Sequence, residues 1–355
     1  LAKVVDSGRG VWWLAVGVAV GAALLSKYTA FFFGLQILLW LILVPELRRW
    51  LKSPWPYLGG AVAFALFAPV IIWNAEHRWV SFAKQFGRAR VDGFTLRYIG
   101  ELIPAQIGFA TPLVFILGVM GACALLRRDT GPRPARLLIN LSIWPILIYF
   151  LWHSLHSRIE ANWLAPIYPA FAIAAALAAH DMAWLPRAQR LVAFCRRFAA
   201  PTGVAMFALL IVQANTGWLS GYGRDPTVRS IGVGMPQFAR DVEAARLRTG
   251  TRCVVALDYG TTAWLAFYLP RSTCVAQLVE PIRWVNMPPH RADDLARQAL
   301  LLDYPAAPVS AQFGARCPNV AQAGQVERRR GPLVVESYLL VVPQCPLGNL
   351  LDPAP

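Results

Sequence analysis

Between Val11 and Leu219 the chain alternates long apolar stretches with short connections rich in arginine. Such stretches cannot all be hidden in one soluble core. They need hydrocarbon as solvent, and a helix of about 20 apolar residues is what crosses a bilayer. Charge agrees: 15% of the 355 residues are Asp, Glu, Lys or Arg, against about 25% in a soluble globular domain. The predicted fold class is a polytopic α-helical membrane protein with about seven membrane helices. A membrane domain over residues 1–219 is followed by a soluble α/β domain over 220–355.

The first stretch, Val11–Val44, is interrupted by Ser26-Lys27-Tyr28-Thr29. Each half would be about 21–24 Å long as a helix, short of the roughly 30 Å hydrocarbon core. One continuous span would bury Lys27 at the midplane at high cost. A hairpin of two short helices, with Lys27 at a recessed turn, avoids this. Further spans are predicted at Pro56–Asn74, Leu102–Leu126, Leu137–Leu155, Trp163–Ala179 and Pro201–Leu219. Pro69, Pro104, Pro112, Pro145, Pro166 and Pro169 fall inside or beside them, and bilayer helices tolerate such kinks.

The formal net charge of +15 would suggest nucleic acid for a soluble protein, but here it sits in loops flanking apolar spans, and no nucleic-acid partner is expected. Lys3 and Arg9, then Arg48, Arg49 and Lys52, then Arg127, Arg128, Arg133 and Arg136, then Arg187, Arg190, Arg196 and Arg197 occupy every second connection. Cytoplasmic loops carry this excess of basic residues. The Lys27 turn, the loops Ala75–Glu101 and His153–Asn162, and everything after Leu219 are therefore expected outside. The loop Ala75–Glu101 breaks the charge rule with Arg78, Lys84, Arg88, Arg90 and Arg97 against Glu76, Asp92 and Glu101, interleaved with Trp79, Phe82, Phe86, Phe94 and Tyr98. Two readings fit: an amphipathic helix on the membrane lipid headgroups, or a cationic cradle for an anionic lipid-linked ligand. A lipid phosphate is the anion in both.

Gly221, Gly223, Pro226, Gly232, Gly234 and Pro236 read as a linker. Helical patterns at Gln237–Leu247 and Thr261–Leu269 then alternate with β-rich runs at Arg252–Asp258, Thr273–Leu278 and Ile282–Val285. Asp293–Leu302 reads as helix passing into strand, and two β-rich stretches surround Gly331-Pro332. This alternation predicts the α/β domain. Four of the six cysteines, Cys253, Cys274, Cys317 and Cys345, fall here without zinc-site spacing. Two disulfides in an oxidising periplasm suit them. Of three connectivities, Cys253–Cys274, on adjacent predicted strands, with Cys317–Cys345 is favoured.

The densest polar constellation is His153-Ser154-Leu155-His156-Ser157-Arg158-Ile159-Glu160-Ala161-Asn162-Trp163. In an extended segment Arg158, Glu160 and Asn162 would point one way. Arg158 offers a planar fork for phosphate or carboxylate, and Glu160 would orient that fork or accept from sugar hydroxyls. The bland alternative is an interfacial loop with an Arg–Glu pair and Trp163 in the aromatic belt. His153 and His156 have no further His or Cys close in sequence, so no metal site is expected from them. There is no phosphate-binding glycine loop after a strand, no nucleophile elbow and no Asp-x-Asp.

Leu24-Leu25-Ser26-Lys27-Tyr28-Thr29, Trp73-Asn74-Ala75-Glu76-His77 and Ser157-Arg158-Ile159-Glu160-Ala161-Asn162-Trp163 resemble glycosyltransferase family 39. This is the bacterial group of dolichyl-phosphate-mannose protein mannosyltransferases and aminoarabinose-transferase-like enzymes. Asp258-Tyr259 to Phe267-Tyr268-Leu269-Pro270 is similar to their soluble C-terminal domain. The resemblance implies a GT-C fold and inverting transfer of a sugar from a polyprenyl-phosphate donor to a lipid, glycan or protein acceptor. It places the chain in a bacterial inner membrane with its C-terminal domain in the periplasm. It implies that Lys27, with Tyr28 beside it, contacts donor phosphate, that Arg158, Glu160 and Asn162 hold the donor head group, and that Arg78, Lys84, Arg88 and Arg90 guide the lipid phosphate. A divalent cation is left open as a cofactor, and no other is implied. The family's catalytic acid lies in the first outer loop, for which this chain has no matching segment. The chain begins at Leu1 rather than Met and is expected to lack that upstream part, so that it binds without catalysing; Glu76 and Glu101 are not in the family position. The competing classes are a transporter or flippase, which predicts internal repeats and ionisable groups near the midplane, and a membrane scaffold with a periplasmic interaction domain.

Overall fold

The computed structural model describes residues 1–88, 93–127, 131–218, 231–279, 284, 299–306, 308, 317 and 319–345. The first part of the linker reading (221–230), the strand reading over 282–285 (Trp284 apart) and most of the helical reading over 293–302 lie outside them, whereas Pro236, read as linker, stands in the first turn of a helix (Met235–Thr249) that Gly234 caps. The chain divides into two compact units, Leu1–Phe207 and Ala208–Pro355.

The first unit is helical. A short helix α1 (Ala2–Ser7) leads into α2 (Trp12–Ser26), a 3₁₀ turn (Tyr28–Ala30), α3 (Phe31–Leu43) and a second 3₁₀ segment (Pro45–Lys52). Helices α4 (Trp55–Glu76), α5 (Val80–Arg88), α6 (Arg97–Ala110), α7 (Pro112–Ala124) and α8 (Arg133–Ser154) follow. After a third 3₁₀ segment (Ala161–Ile167) come α9 (Tyr168–His180) and α10 (Pro186–Thr216). Among the described residues four helices are long and apolar enough to cross a membrane: α4, α8, the run Ala161–His180 and α10. Two bent pairs raise this to six if each pair is one span.

The polytopic helical fold is as expected, and among the described residues the spans number four to six rather than about seven; besides the 115° bend between α3 and Pro45–Lys52, two features account for this. Helix α2 has 15 residues, too few to cross alone, because the chain turns at Lys27 as expected. Second, the predicted span Leu102–Leu126 is broken, with α6 and α7 meeting at 103°. Thr111 sits between them at φ 62°, outside the helical region, and Pro112 disfavours helical geometry in the residue before it. Close helix pairs are built on small residues. A Cβ on Gly17 would lie 2.1 Å from the Gly59 carbonyl oxygen, and one on Gly121 would lie 2.0 Å from the Ala174 carbonyl oxygen. Small residues of this kind let membrane helices approach backbone to backbone.

The second unit places α11 (Met235–Thr249) and α12 (Tyr259–Tyr268) with a five-stranded sheet of β1 (Cys253–Ala256), β2 (Cys274–Gln277), β3 (Leu300–Asp303), β4 (Val320–Arg330) and β5 (Leu333–Pro343). The order is β2-β1-β3-β5-β4, with β1 parallel to both neighbours and β5 antiparallel to β3 and β4. Strand β1 is buried along its whole length, as a central parallel strand must be. Met235, Phe238 and Val242 of α11 pack on one face against Val254, Leu300 and Leu340. Val255, Leu301 and Val341 pack on the other.

Disulfides join Cys253 to Cys274, register partners on β1 and β2, and Cys317 to Cys345. They close sequence separations of 21 and 28 residues, so each contributes about 3 kcal/mol in the chain-entropy account. Reducing both should lower the thermal midpoint of this unit by roughly 10 °C or more, read by circular dichroism with and without reductant. An unchanged midpoint would mean that the sheet core alone sets its stability.

Candidate functional site

The site grows from the turn after α2. Lys27 leaves the helix in an extended conformation (φ −161°, ψ 134°), and its side chain is half-buried. Its Nζ donates to the Asn162 carbonyl oxygen at 2.9 Å. An ammonium carries three donors, and among the described residues no carboxylate pairs with this one. Lys27 lines a cavity of about 260 Å³ together with Tyr28, Phe32, Tyr149, His153 and Trp163. The lining sets aromatic rings beside the polar side chains of Lys27, Thr29, Gln85 and His153, a mixture suited to a small ligand that is itself part polar.

Tyr28 is held from the neighbouring helix. Its ring stacks on Phe82, 5.3 Å between centroids and 13° between planes, and its hydroxyl lies 3.0 Å from the Ser81 Oγ. Behind Ser81 stands Asn74, fully buried. Its amide donates to the Val70 carbonyl at 2.8 Å, and its Oδ1 accepts from both the backbone N–H and the hydroxyl of Ser81. The Trp79 N–H donates to the Asn74 carbonyl at 2.7 Å. This knot holds Arg78 and Trp79 at φ 54° and 56°, a strained backbone that persists only where its surroundings over-determine it. The Trp73–His77 motif thus fixes the start of α5 and, through Ser81, the wall of the cavity.

The connection after α8 is anchored by Ile159, which is 6% exposed and packs with Leu102, Ile146 and Leu164. With Ile159 inward, Arg158 and Glu160 are exposed, and Asn162 is exposed at the start of the 3₁₀ segment. The carboxylate on Arg158 is Glu101, not Glu160: Arg158 Nε donates to Glu101 Oε2 at 2.9 Å, and Arg97 Nε stands 3.5 Å from Glu101 Oε1. Both arginines are largely exposed, so the cluster adds little stability and its effect is to orient the Arg158 fork. Gln106, 8% exposed, ties the same segment down: its Nε2 donates to the Ala161 carbonyl at 3.0 Å, and its Oε1 accepts from the Tyr168 hydroxyl at 2.7 Å.

Among the nine positions expected to bind donor, Lys27 and Tyr28 therefore line one cavity, and Asn162 meets Lys27 through its backbone carbonyl. Arg158 joins Glu101, and Glu160 is exposed beside it. Arg78 is exposed and Lys84 half-buried. The Arg88 side chain and all of Arg90 lie outside the described residues. Ser81 and Gln106 were not among the expected site residues, Asn74 entered only within the Trp73–His77 motif, and Glu101 was named without a role at Arg158; the one signal for Gln106 is a glutamine inside an apolar stretch between Pro104 and Pro112. His153 is 2% exposed and stacks on Tyr149, whereas His156 Nδ1 lies 3.0 Å from the Trp152 carbonyl. Among the described residues no group of three His, Cys, Asp or Glu side chains gathers as a metal site requires, so no step is derived through a cation.

Residues 1–73, which include Lys27 and Tyr28, match the family described as dolichyl-phosphate-mannose-protein mannosyltransferase. The chain is also 26% identical over 164 residues to the lipid A galacturonosyltransferase RgtD of Rhizobium johnstonii, a match covering 46% of this chain and 34% of that relative. The chain thus spans about a third of that relative's length. No solved structure matches. Both matches support a bacterial glycosyltransferase of the GT-C type, the group that the Lys27 turn and the Ser157–Trp163 motif resemble.

Proposed function

We propose that the cavity beside Lys27 binds the phosphate and sugar of a polyprenyl-phosphate-linked donor on the periplasmic face, for inverting transfer to a lipid-borne glycan. The observation that carries this reading is a half-buried ammonium with one carbonyl contact and, among the described residues, no carboxylate partner, set at the edge of an aromatic cavity. A cation drawn out of water without a counter-ion is costly, and a bound phosphate would offset that cost. In the transfer, an acceptor hydroxyl oxygen bonds to the sugar's C1 from the face opposite the phosphate. The bond from C1 to the phosphate oxygen breaks, and its electron pair leaves with the polyprenyl phosphate. Charge grows on that leaving oxygen, where a fixed cation lowers the barrier most. The acceptor's proton passes to a base that we assign to no residue of this chain.

Periplasmic placement is supported by the two disulfides, which persist in oxidising compartments, and by the basic residues of alternate connections. The relative's name motivates lipid A as acceptor and galacturonic acid as the sugar to try first. The test is a transfer assay on the full-length protein in nanodiscs, with polyprenyl-phosphate galacturonic acid and lipid A. Release of polyprenyl phosphate with inversion at C1, read by NMR of the product, is expected. Retention of configuration, or no release from any of a panel of polyprenyl-phosphate sugars, would overturn the reading.

A further inference from the structure

Helix α8 carries a polar side chain that its surroundings leave unsatisfied. His153 is 2% exposed, and its Nδ1 is buried with no hydrogen-bond partner among the described residues. Nε2 makes no hydrogen bond there either, yet it is not sealed in the same way. The ring lies parallel to Tyr149, 6.0 Å between centroids and 9° between planes. A buried polar atom left unpaired is a standing cost to the fold, and native proteins seldom carry one without use. A phenylalanine would fill the position among these aromatic neighbours without that cost.

The cavity supplies the use. His153 lines the same space as Lys27, Gln85 and Trp163. The Tyr28 hydroxyl, also in that lining, is already engaged with Ser81. A neutral imidazole offers one donor and one acceptor, and a sugar presents hydroxyls on its rim and C–H faces suited to aromatic rings. We propose that His153 is a specificity-determining residue whose Nε2 hydrogen-bonds a hydroxyl of the donor sugar while Lys27 holds the phosphate. This rests on reading the cavity as the donor site. In that division of labour Lys27 recognises the part common to every polyprenyl-phosphate donor, and His153 recognises the part that differs between them.

The test compares wild-type protein with His153→Phe and His153→Gln, full length and in nanodiscs, against two probes: undecaprenyl phosphate without sugar, and undecaprenyl-phosphate galacturonic acid. The Phe variant should bind the sugar-free lipid as wild type does and lose affinity for the sugar-bearing one by roughly tenfold. The Gln variant, which keeps a donor and an acceptor, should recover most of that loss. Without ligand the Phe variant should melt at the wild-type temperature or above it. Wild-type affinity for both probes in the Phe variant would overturn the assignment, and a parallel loss of both would reduce His153 to a structural role. If wild-type protein binds neither probe, the donor-site reading fails and takes this inference with it.

Discussion

Lys27→Ala should cut turnover of a polyprenyl-phosphate donor by roughly 10²-fold or more, the range seen when one preorganised charge stabiliser is removed. The protein should remain folded. Among the described residues the ammonium makes one hydrogen bond, to the Asn162 carbonyl, and meets no carboxylate, so relieving this half-buried cation offsets the loss of that bond. Activity and stability should therefore separate: transfer collapses, while elution from a sizing column and melting temperature stay near wild type. Lys27→Arg should rescue poorly. A planar guanidinium is not interchangeable with a compact ammonium, and the cavity it would enter is only about 260 Å³. Wild-type turnover in the Ala variant would remove Lys27 from the donor phosphate.

The second large effect is structural and lies away from the cavity. Gly121→Leu should strongly destabilise the membrane unit, because its Cβ would stand 2.0 Å from the Ala174 carbonyl oxygen and a backbone atom cannot step aside as a side-chain end can. Helices α7 and α9 would have to separate, and overpacking of this kind costs about 1–3 kcal/mol or more. The control is Gly34→Ala in α3, where an added Cβ meets nothing within 4 Å. That change should be neutral or should gain up to about 1 kcal/mol from helix propensity. Thermal unfolding in detergent, read by intrinsic fluorescence, compares the two. Equal melting temperatures would show that the α7–α9 approach is looser than described.

Why some of this architecture could be read from sequence, and some could not, follows from the range of each interaction. The hairpin at Lys27 was legible because a lysine at the bilayer midplane is expensive, a constraint that acts on one residue. The inward Ile159 between outward Arg158 and Glu160 was legible for a similar reason, since alternation is local. The break at Thr111 was not. Prolines in bilayer helices usually kink rather than end them, and only the φ of 62° at Thr111 separates a 103° bend from a continuous span. The partner of Arg158 was hidden because Glu101 lies 57 positions away, and Glu160, two positions away, was the nearer candidate. Gln106 and Asn74 gave weak signals, since a buried amide is justified only by the distant backbone groups it satisfies. In the second unit the alternation of strand and helix announced an α/β domain, but the sheet order, with β1 between β2 and β3, follows from packing that no spacing encodes.

Donor binding, in this reading, turns on an anion from a lipid-linked sugar seated at Lys27. Native mass spectrometry of the full-length protein, released from nanodiscs that contain undecaprenyl phosphate and phosphatidylglycerol in equal amounts, tests this most directly. Wild-type protein should retain one undecaprenyl phosphate in preference to phosphatidylglycerol, and Lys27→Ala should lose the preference. Equal retention of both lipids by wild-type protein, or an undiminished preference in the variant, would contradict it.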